Sequence, residues 1–322
     1  MPNALLDREK GEIKMKPKIL VMGSFNMDIT GYALRLPKNG ETVMGERYAM
    51  SPGGKGSNQA VAASRAGGNV SMIARMGKDA FGEIGFKTLS GEGISEKHLI
   101  LDSQASTGFA LIEVDGETGE NRIIVIPGAN QKITKEQIDA AADDIQDCDC
   151  VLAQLETNLD AVQAFFDCAK KNRKPVILNP APFRSLPDGF LSGLDVFTPN
   201  ETEAEYFSGI AIHCEDDARR AALEFMKMGV RTVVITLGKA GAYYKNENED
   251  GFVSAPSVKA IDTTGAGDAF TGALSVALGE KRSLREAVQF AVCFASLSVT
   301  KPGAAASMPY RNEAEAFMKT VF

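Results

Sequence analysis

The run Asp262-Thr263-Thr264-Gly265-Ala266-Gly267-Asp268-Ala269-Phe270 holds the residues best suited to chemistry. Gly265 and Gly267 flank Ala266 at the head of an apolar stretch that reads as a helix over 265–278. The first amides of a helix have no partner within it, and the helix dipole adds positive potential there, so such a start accepts an anion. A carboxylate is out of place beside an anion site unless it has a task. Asp268 has one if it takes the proton of an attacking hydroxyl while the amides hold a phosphoryl group in transfer. A Gly-rich turn with an N-capping Asp accounts for the same residues without any chemistry.

A second run is Pro52-Gly53-Gly54-Lys55-Gly56-Ser57-Asn58-Gln59-Ala60. Three glycines within four positions let backbone approach a small polar ligand, and Lys55 and Asn58 supply donors. It is not a Walker A loop, because Gly-x-x-x-x-Gly-Lys-[Ser/Thr] is absent. A turn ahead of a packed helix is the plainer alternative.

Both runs need a scaffold. After Pro17 the chain alternates strand-like segments (18–23, 70–76, 151–155, 175–178, 196–198, 232–236) with helix-like ones (56–65, 81–89, 159–171, one opening at 200–201, 218–228, 265–278, 284–300). Repeated β-then-α units predict an α/β fold whose mostly parallel sheet carries helices on both faces. Two regions break the rhythm: 29–36 with 42–50, and 107–114 with 122–126, which read as antiparallel ribbons. The turn Asp115-Gly116-Glu117-Thr118-Gly119 joins the second pair. Such hairpins fit a separate small sheet at the edge of the main one, with a cleft between.

The 322 residues, 44% hydrophobic, suffice for one large α/β domain or a domain plus a small lid. With 35 basic and 42 acidic side chains the net charge is -7, which disfavours nucleic acid and anionic membranes as partners. No apolar run approaches the roughly 18 residues of a membrane span. Residues 1–16 have only Ala4-Leu5-Leu6 as an apolar kernel and carry Asp7, Glu9 and Glu12, so they read as a mobile N-terminal extension and not as a signal peptide. Five cysteines (148, 150, 168, 214, 293) make an odd count, which points to reduced thiols and a cytoplasmic home. Cys148-Asp149-Cys150 has no second Cys/His pair nearby, and His98 and His213 stand alone, so a zinc site or a His-based triad is not expected.

Together, GGKGSNQAVAA at 53–63 and DTTGAGDAF at 262–270 resemble the two signatures of the ribokinase-type carbohydrate kinase family. Further matches follow in the same order over about 17–320: Gly23-Ser24-Phe25-Asn26-Met27-Asp28, Gln154-Leu155-Glu156, Asn179-Pro180-Ala181-Pro182, Pro199-Asn200-Glu201-Thr202-Glu203, Thr236-Leu237-Gly238-Lys239-Ala240-Gly241 and Lys301-Pro302-Gly303-Ala304. The resemblance implies a ribokinase-like three-layer α/β/α sandwich spanning 17–322, with a small β-sheet lid from about 26–50 and 103–127.

The same resemblance implies a sugar site of Asn26, Asp28, Gly54, Lys55, Gly56, Ser57, Asn58 and Glu156, with Asp268 as base. Acceptor carboxylates and two-way amides suit a polyol; Asn26 and Asp28 capping a turn, and Glu156 as a solvated strand end, are the structural alternatives. On the nucleotide side it implies Asn200, Glu203, the 236–241 turn (Thr236, Leu237, Gly238, Lys239, Ala240, Gly241), the 265–268 turn (Gly265, Ala266, Gly267, Asp268), and Val292 beside the adenine. Asn200 and Glu203 would organise Mg²⁺ and the phosphates of ATP mostly through water; a capping box explains that pair equally. A monovalent cation, K⁺, would sit near Asp262, Thr264, Ser298, Lys301, Gly303 and Ser307, mostly on backbone carbonyls. The expected reaction makes D-ribose 5-phosphate from D-ribose and ATP. Members commonly form homodimers through the lid, for which Phe109, Leu111, Ile123 and Val125 offer apolar positions. The rivals are a deoxyribose, ketohexose or nucleoside kinase of the same family and, from another class, a silent sugar or nucleotide sensor.

Overall fold

The structure, a computed structural model, describes residues 15–322. The extension expected over 1–16 therefore lies outside the described residues except for Met15 and Lys16, which are exposed coil. Along the chain, β1 (Lys18–Met22) leads into a hairpin of β2 (Asn26–Ala33) and β3 (Gly45–Gly53). Then come α1 (Lys55–Arg65), β4 (Asn69–Gly77), α2 (Ala80–Gly91) and β5 (Leu99–Asp102). A second hairpin, β6 (Gly108–Asp115) and β7 (Asn121–Ile126), precedes the short helices α3 (Lys135–Asp139) and α4 (Ala142–Asp147). Next are β8 (Cys150–Ala153), α5 (Leu159–Lys171), β9 (Val176–Leu178), β10 (Val196–Phe197), α6 (Glu201–Ser208), α7 (Glu215–Lys227) and β11 (Thr232–Thr236). The antiparallel strands β12 (Gly241–Lys245) and β13 (Asp250–Ser254) are followed by α8 (Ala266–Gly279), α9 (Leu284–Ser298) and α10 (Arg311–Val321).

The main sheet has the order β13-β12-β11-β10-β9-β8-β1-β4-β5 and is parallel from β5 to β11. Its strands are short, continuous apolar runs because both faces are covered. In β1, Ile19 and Val21 join the core cluster under α1, α8 and α9, while Leu20 and Met22 join the one under α5 and α7. Two cores divided by one sheet make the expected three layers. In a doubly wound sheet the loops leaving the carboxyl ends of the strands gather at one edge, where ligands bind. The carboxyl ends of β1, β8, β9, β10 and β11 and the segments leaving them carry Ser24 to Asn26, Gln154 to Glu156, Asn179, Asn200 and Thr236 to Gly238.

The second sheet, β3-β2-β6-β7, is built from the two ribbons. The first ribbon is displaced by three residues from the sequence expectation and not lengthened: β2 starts at Asn26 and β3 runs to Gly53, so that these two residues pair at the sheet's base. The ribbons are fused by parallel pairing of β2 with β6. The register divides the four apolar positions expected to form a dimer contact. Phe109 and Leu111 share one face, while Val125, level with Ala110 and Asp28, and Ile123 lie on the other. Leu111, Ile123 and Val125 are exposed, whereas Phe109 packs on Phe81 with ring centroids 6.3 Å apart.

The helix expected from 218 starts at Glu215, because Asp217 turns back to accept the amides of His213 and Cys214. Strands β5, β12 and β13 and helices α3, α4 and α10 had no counterpart in the sequence reading. Among the described residues all five cysteines are free thiols, no helix is long and apolar enough to cross a membrane, and no cluster of three His, Cys, Asp or Glu side chains is arranged to hold a metal.

Candidate active site

Gly265, and not Asp268, is the N-cap of α8, with φ 73°, so Asp268 is free of capping duty. It projects from the first turn towards α1, buried. Asn58 Nδ2 donates to its Oδ2 at 3.0 Å and Gln59 Nε2 donates to its Oδ1 at 2.9 Å. Burial raises the pKa of Asp268, while the Lys55 ammonium and the Gln59 and Asn58 amides oppose the rise. The amide cradle is narrower than the sequence implied, because Ala266 N–H donates to Thr263 O at 3.2 Å. Gly267 and Asp268 are first-turn amides with no acceptor inside the helix. A Cβ on Gly267 would meet nothing within 4 Å, so this glycine faces open space.

The glycines of the 53–56 run let two backbone segments meet closely. At Gly54, the N-cap of α1 with φ 92°, a Cβ would stand 2.7 Å from Asn26 N; at Gly56, 2.4 Å from Ser24 N. They bring α1 onto the chain after β1. Ser57 likewise spends its hydroxyl on Gly53 O at 2.6 Å and Gly54 O at 3.0 Å. Asn26 and Asp28 lie in β2 and cap no turn. Asn26 Oδ1 accepts from Asn130 Nδ2 at 2.8 Å, and Asn130 also holds Phe25 N and O. Glu156 is half-buried and fixed, accepting from Ser24 Oγ and, at 3.0 Å, from Lys55 N.

Lys55 is the single cation among Asp28, Glu156, Glu203 and Asp268, whose charges raise its pKa, Asp268 most of all. One ammonium does not neutralise four carboxylates. Burial lifts Asp28 to about 6, with Glu156 and Asp268 adding to it, and burial also lifts Glu203.

Lys55, Asn200, Glu203, Thr236 and the 265–268 turn line one cavity of about 170 Å³. Asn200 and Glu203 form the capping box of α6: Asn200 Oδ1 accepts from Glu203 N at 2.8 Å and Glu203 Oε2 from Asn200 N at 2.9 Å. That leaves the second carboxylate oxygen of this buried Glu203 for the cavity. Asn200 is bridged to Thr236, which brings the turn Leu237, Gly238, Lys239, Ala240 beside α6. Gly241 closes that turn at φ 125°. Val292 is packed in the α9 core and does not line the cavity.

The 262–264 turn meets the loop after α9. Asp262 Oδ1 accepts from Thr264 N and Oγ1 and its Oδ2 from Gly303 N at 2.8 Å, so the carboxylate is consumed as a clasp. Ser298 and Ser307 turn their hydroxyls onto Ala295 O and Ala304 O, and Lys301 Nζ lies 3.3 Å from Glu313. Each of these side chains thus has a partner within the protein.

The family profile described as "pfkB family carbohydrate kinase" matches residues 16–311. The chain belongs to the pfkB carbohydrate kinase family. As a family member it is a sugar kinase, a phosphotransferase. It is 40% identical over 305 residues to the ribokinase of Haemophilus influenzae, covering 95% of this chain and 99% of that protein. It is 36% identical over 292 residues to the deoxyribokinase of Salmonella typhi, covering 90% and 95%. The structure of Arabidopsis thaliana ribokinase complexed with ribose and ATP superimposes with a TM-score of 0.88 at 32% identity, covering 95% of this chain and 99% of that one.

Sequence reasoning did not assign a role to Gln59, Asn130 or Ser24. Gln59 sat inside a quoted signature, and Ser24 inside a matched block. Asn130 follows β7 with no local sign of its contact with Asn26.

Proposed function

We propose that this pfkB carbohydrate kinase transfers the γ-phosphoryl group of ATP to the 5-hydroxyl of D-ribose, giving D-ribose 5-phosphate and ADP. The observation that carries the reading is a buried carboxylate, Asp268, at the head of an anion-binding helix start and held by two amides. A bond forms between the sugar oxygen and the γ-phosphorus as the bond to the bridging oxygen of ADP breaks, and the hydroxyl proton passes to Asp268. A pKa raised by burial makes Asp268 a better acceptor for it. The Gly267 and Asp268 amides face the transferred group, and Lys55 adds positive charge beside it.

Asn26, Asp28, Asn58 and Glu156 offer acceptors and donors for the sugar's other hydroxyls. Glu203 and Asn200 suit Mg²⁺ held through water, because a buried carboxylate oxygen faces the cavity. When bound, that ion supplies charge neutralisation to the phosphates. The carbonyl-rich meeting of 262–264 with 298–307 suits K⁺. Swinging of the small sheet over the sugar would exclude water from the phosphoryl group. The apolar side chains exposed on that sheet support a homodimer through it. The five free thiols favour a reducing, cytoplasmic home.

A coupled assay with ribose, 2-deoxyribose, fructose and adenosine tests the reading, with ribose giving the highest kcat/KM. Preference for 2-deoxyribose, the second reading that a 36% identical deoxyribokinase supports, retains the kinase and changes its substrate. No turnover on any sugar would leave a sensor.

A further inference from the structure

We propose that Gln59 is the positioning residue of the catalytic base: its amide sets the direction of the Asp268 carboxylate, and its own orientation is set by a chain of buried amides that ends on a backbone carbonyl. The inference rests on the reading of Asp268 as base. Gln59 is fully buried on α1. Its Nε2 donates to Asp268 Oδ1 and to Asn179 Oδ1, both at 2.9 Å, and its Oε1 accepts from Gln154 Nε2 at 2.7 Å. Both protons of the amide and its oxygen are thereby used.

The orientation is not arbitrary. Thr198 O can only accept, and Asn179 Nδ2 donates to it at 2.8 Å. Asn179 must therefore show its oxygen to Gln59, and Gln59 must answer with N–H. The second proton of that same group reaches Asp268. Inverting Gln59 would set its oxygen against two acceptors and its NH₂ against that of Gln154, so the neighbours exclude the alternative. Thr198, Asn179, Gln154 and Asp268 come from four separate segments and are all buried. The chain thus runs from the carboxyl end of β10, on the nucleotide side, to the base.

Asn58 holds the other oxygen of Asp268. With one donor on each oxygen, from adjacent positions of α1, the carboxylate plane cannot turn. The two amides differ in what lies behind them. Asn58 Oδ1 is buried without a partner, whereas Gln59 is fully bonded to the protein interior. Asn58 is therefore free to respond to substrate, and Gln59 is not. Its bond also favours the ionised carboxylate against a burial that disfavours it.

The test is steady-state kinetics of the whole enzyme between about pH 5 and pH 9, with ribose and Mg·ATP. In Gln59→Leu, which removes the donors at similar size, the acid limb of kcat moves up by about one pH unit. The plateau falls about tenfold, while KM for ATP changes less than about twofold. Gln59→Glu, of the same shape but with an acceptor facing Asp268, moves the limb further. Gln154→Met, one bond further away, moves it less and in the same direction, and covers the case in which the Gln59 variants do not fold. An acid limb that stays at its parent position in every variant that folds overturns the proposal. Asp268→Asn separates this from the underlying reading. Near-parent turnover in Asp268→Asn sinks the base itself, whereas an inactive Asp268→Asn with unmoved acid limbs in the other variants sinks only the role of Gln59.

Discussion

Asn58 gives its NH₂ to Asp268 Oδ2 at 3.0 Å and keeps its own Oδ1 buried with no partner. A buried acceptor left unpaired costs about 1–3 kcal/mol, and on the proposed reading a sugar hydroxyl would be its donor. Ribose should therefore exceed 2-deoxyribose by about tenfold or more in kcat/KM, since removing a hydroxyl leaves a buried group unanswered. Asn58→Ala should bring the two sugars closer together while slowing both. Measuring kcat/KM for both sugars in both proteins decides it, and an unchanged ratio would show that Asn58 Oδ1 does not read the sugar.

The second expectation concerns acidity. Asp28 is lifted to about 6, first by burial and then by the nearby carboxylates. A raised folded-state value means that the native protein holds this proton more tightly than the unfolded chain does. Its contribution to stability is complete below the unfolded value of 3.8 and is lost as pH rises through about 6. Asp28→Asn should remove that component, flattening the melting temperature between these two values. Activity moves the opposite way. Ionised Asp28 is the stronger acceptor for sugar hydroxyls, with both oxygens open to them, so kcat/KM for ribose should fall below about pH 6 more steeply in the parent than in Asp28→Asn. Identical profiles for the two proteins would count against Asp28 as a sugar contact.

Two glycines should respond in opposite ways. Gly54→Ala puts a Cβ 2.7 Å from Asn26 N at φ +92°, so it should cost about 1–3 kcal/mol of stability and expel α1 from its seat. Gly267→Ala meets nothing, so its melting temperature should match the parent's. Its new methyl lies where the phosphoryl group belongs, so kcat should fall while the fold persists. Thermal melts beside kinetics separate the two, and full activity in Gly267→Ala would move the phosphoryl group elsewhere.

Potassium is the fourth test. Asp262 clasps Gly303 and the Thr264 turn that leads into Gly265, so a cation on the nearby carbonyls would order that turn without touching the nucleotide. With Mg·ATP fixed in a Tris buffer, potassium or caesium chloride should raise turnover or sugar affinity above sodium chloride at matched ionic strength. Equal rates in all three salts and in the control would rule out a functional cation here.

The main-sheet strands were legible because a parallel strand buried on both faces leaves an unbroken apolar run, as 18–22 does. The helix start at Gly265 was legible from two glycines ahead of an apolar stretch. What held Asp268 was not, since Gln59 meets its partners 95, 120 and 209 residues away along the chain. A glutamine in an alanine-rich helix carries no mark of such contacts. The glycines at 54 and 56 were legible as close approaches, but not what approached: the crowding comes from Ser24 and Asn26. Strands β12 (GAYYK) and β13 (DGFVS) escaped because glycine and charged residues interrupt the apolar run in each.

Asn26 faces Gly53 at the root of the small sheet, with Asp28 two residues further out on the same strand. β3, which carries one side of this root, runs through Gly54 directly into α1, where Lys55 and Asn58 stand. If the small sheet covers the sugar as proposed, it and the proposed sugar contacts form one lever with one fulcrum. A tilt of its outer end would then reach Asp28 with shortened throw, so that the lean of the sheet and the grip on the sugar would change together. A substitution at the distal tip, such as one around Tyr48 or Glu113, should therefore alter which pentose is preferred from well outside contact range. Retuning of specificity in such an enzyme can then begin in residues that no ligand touches.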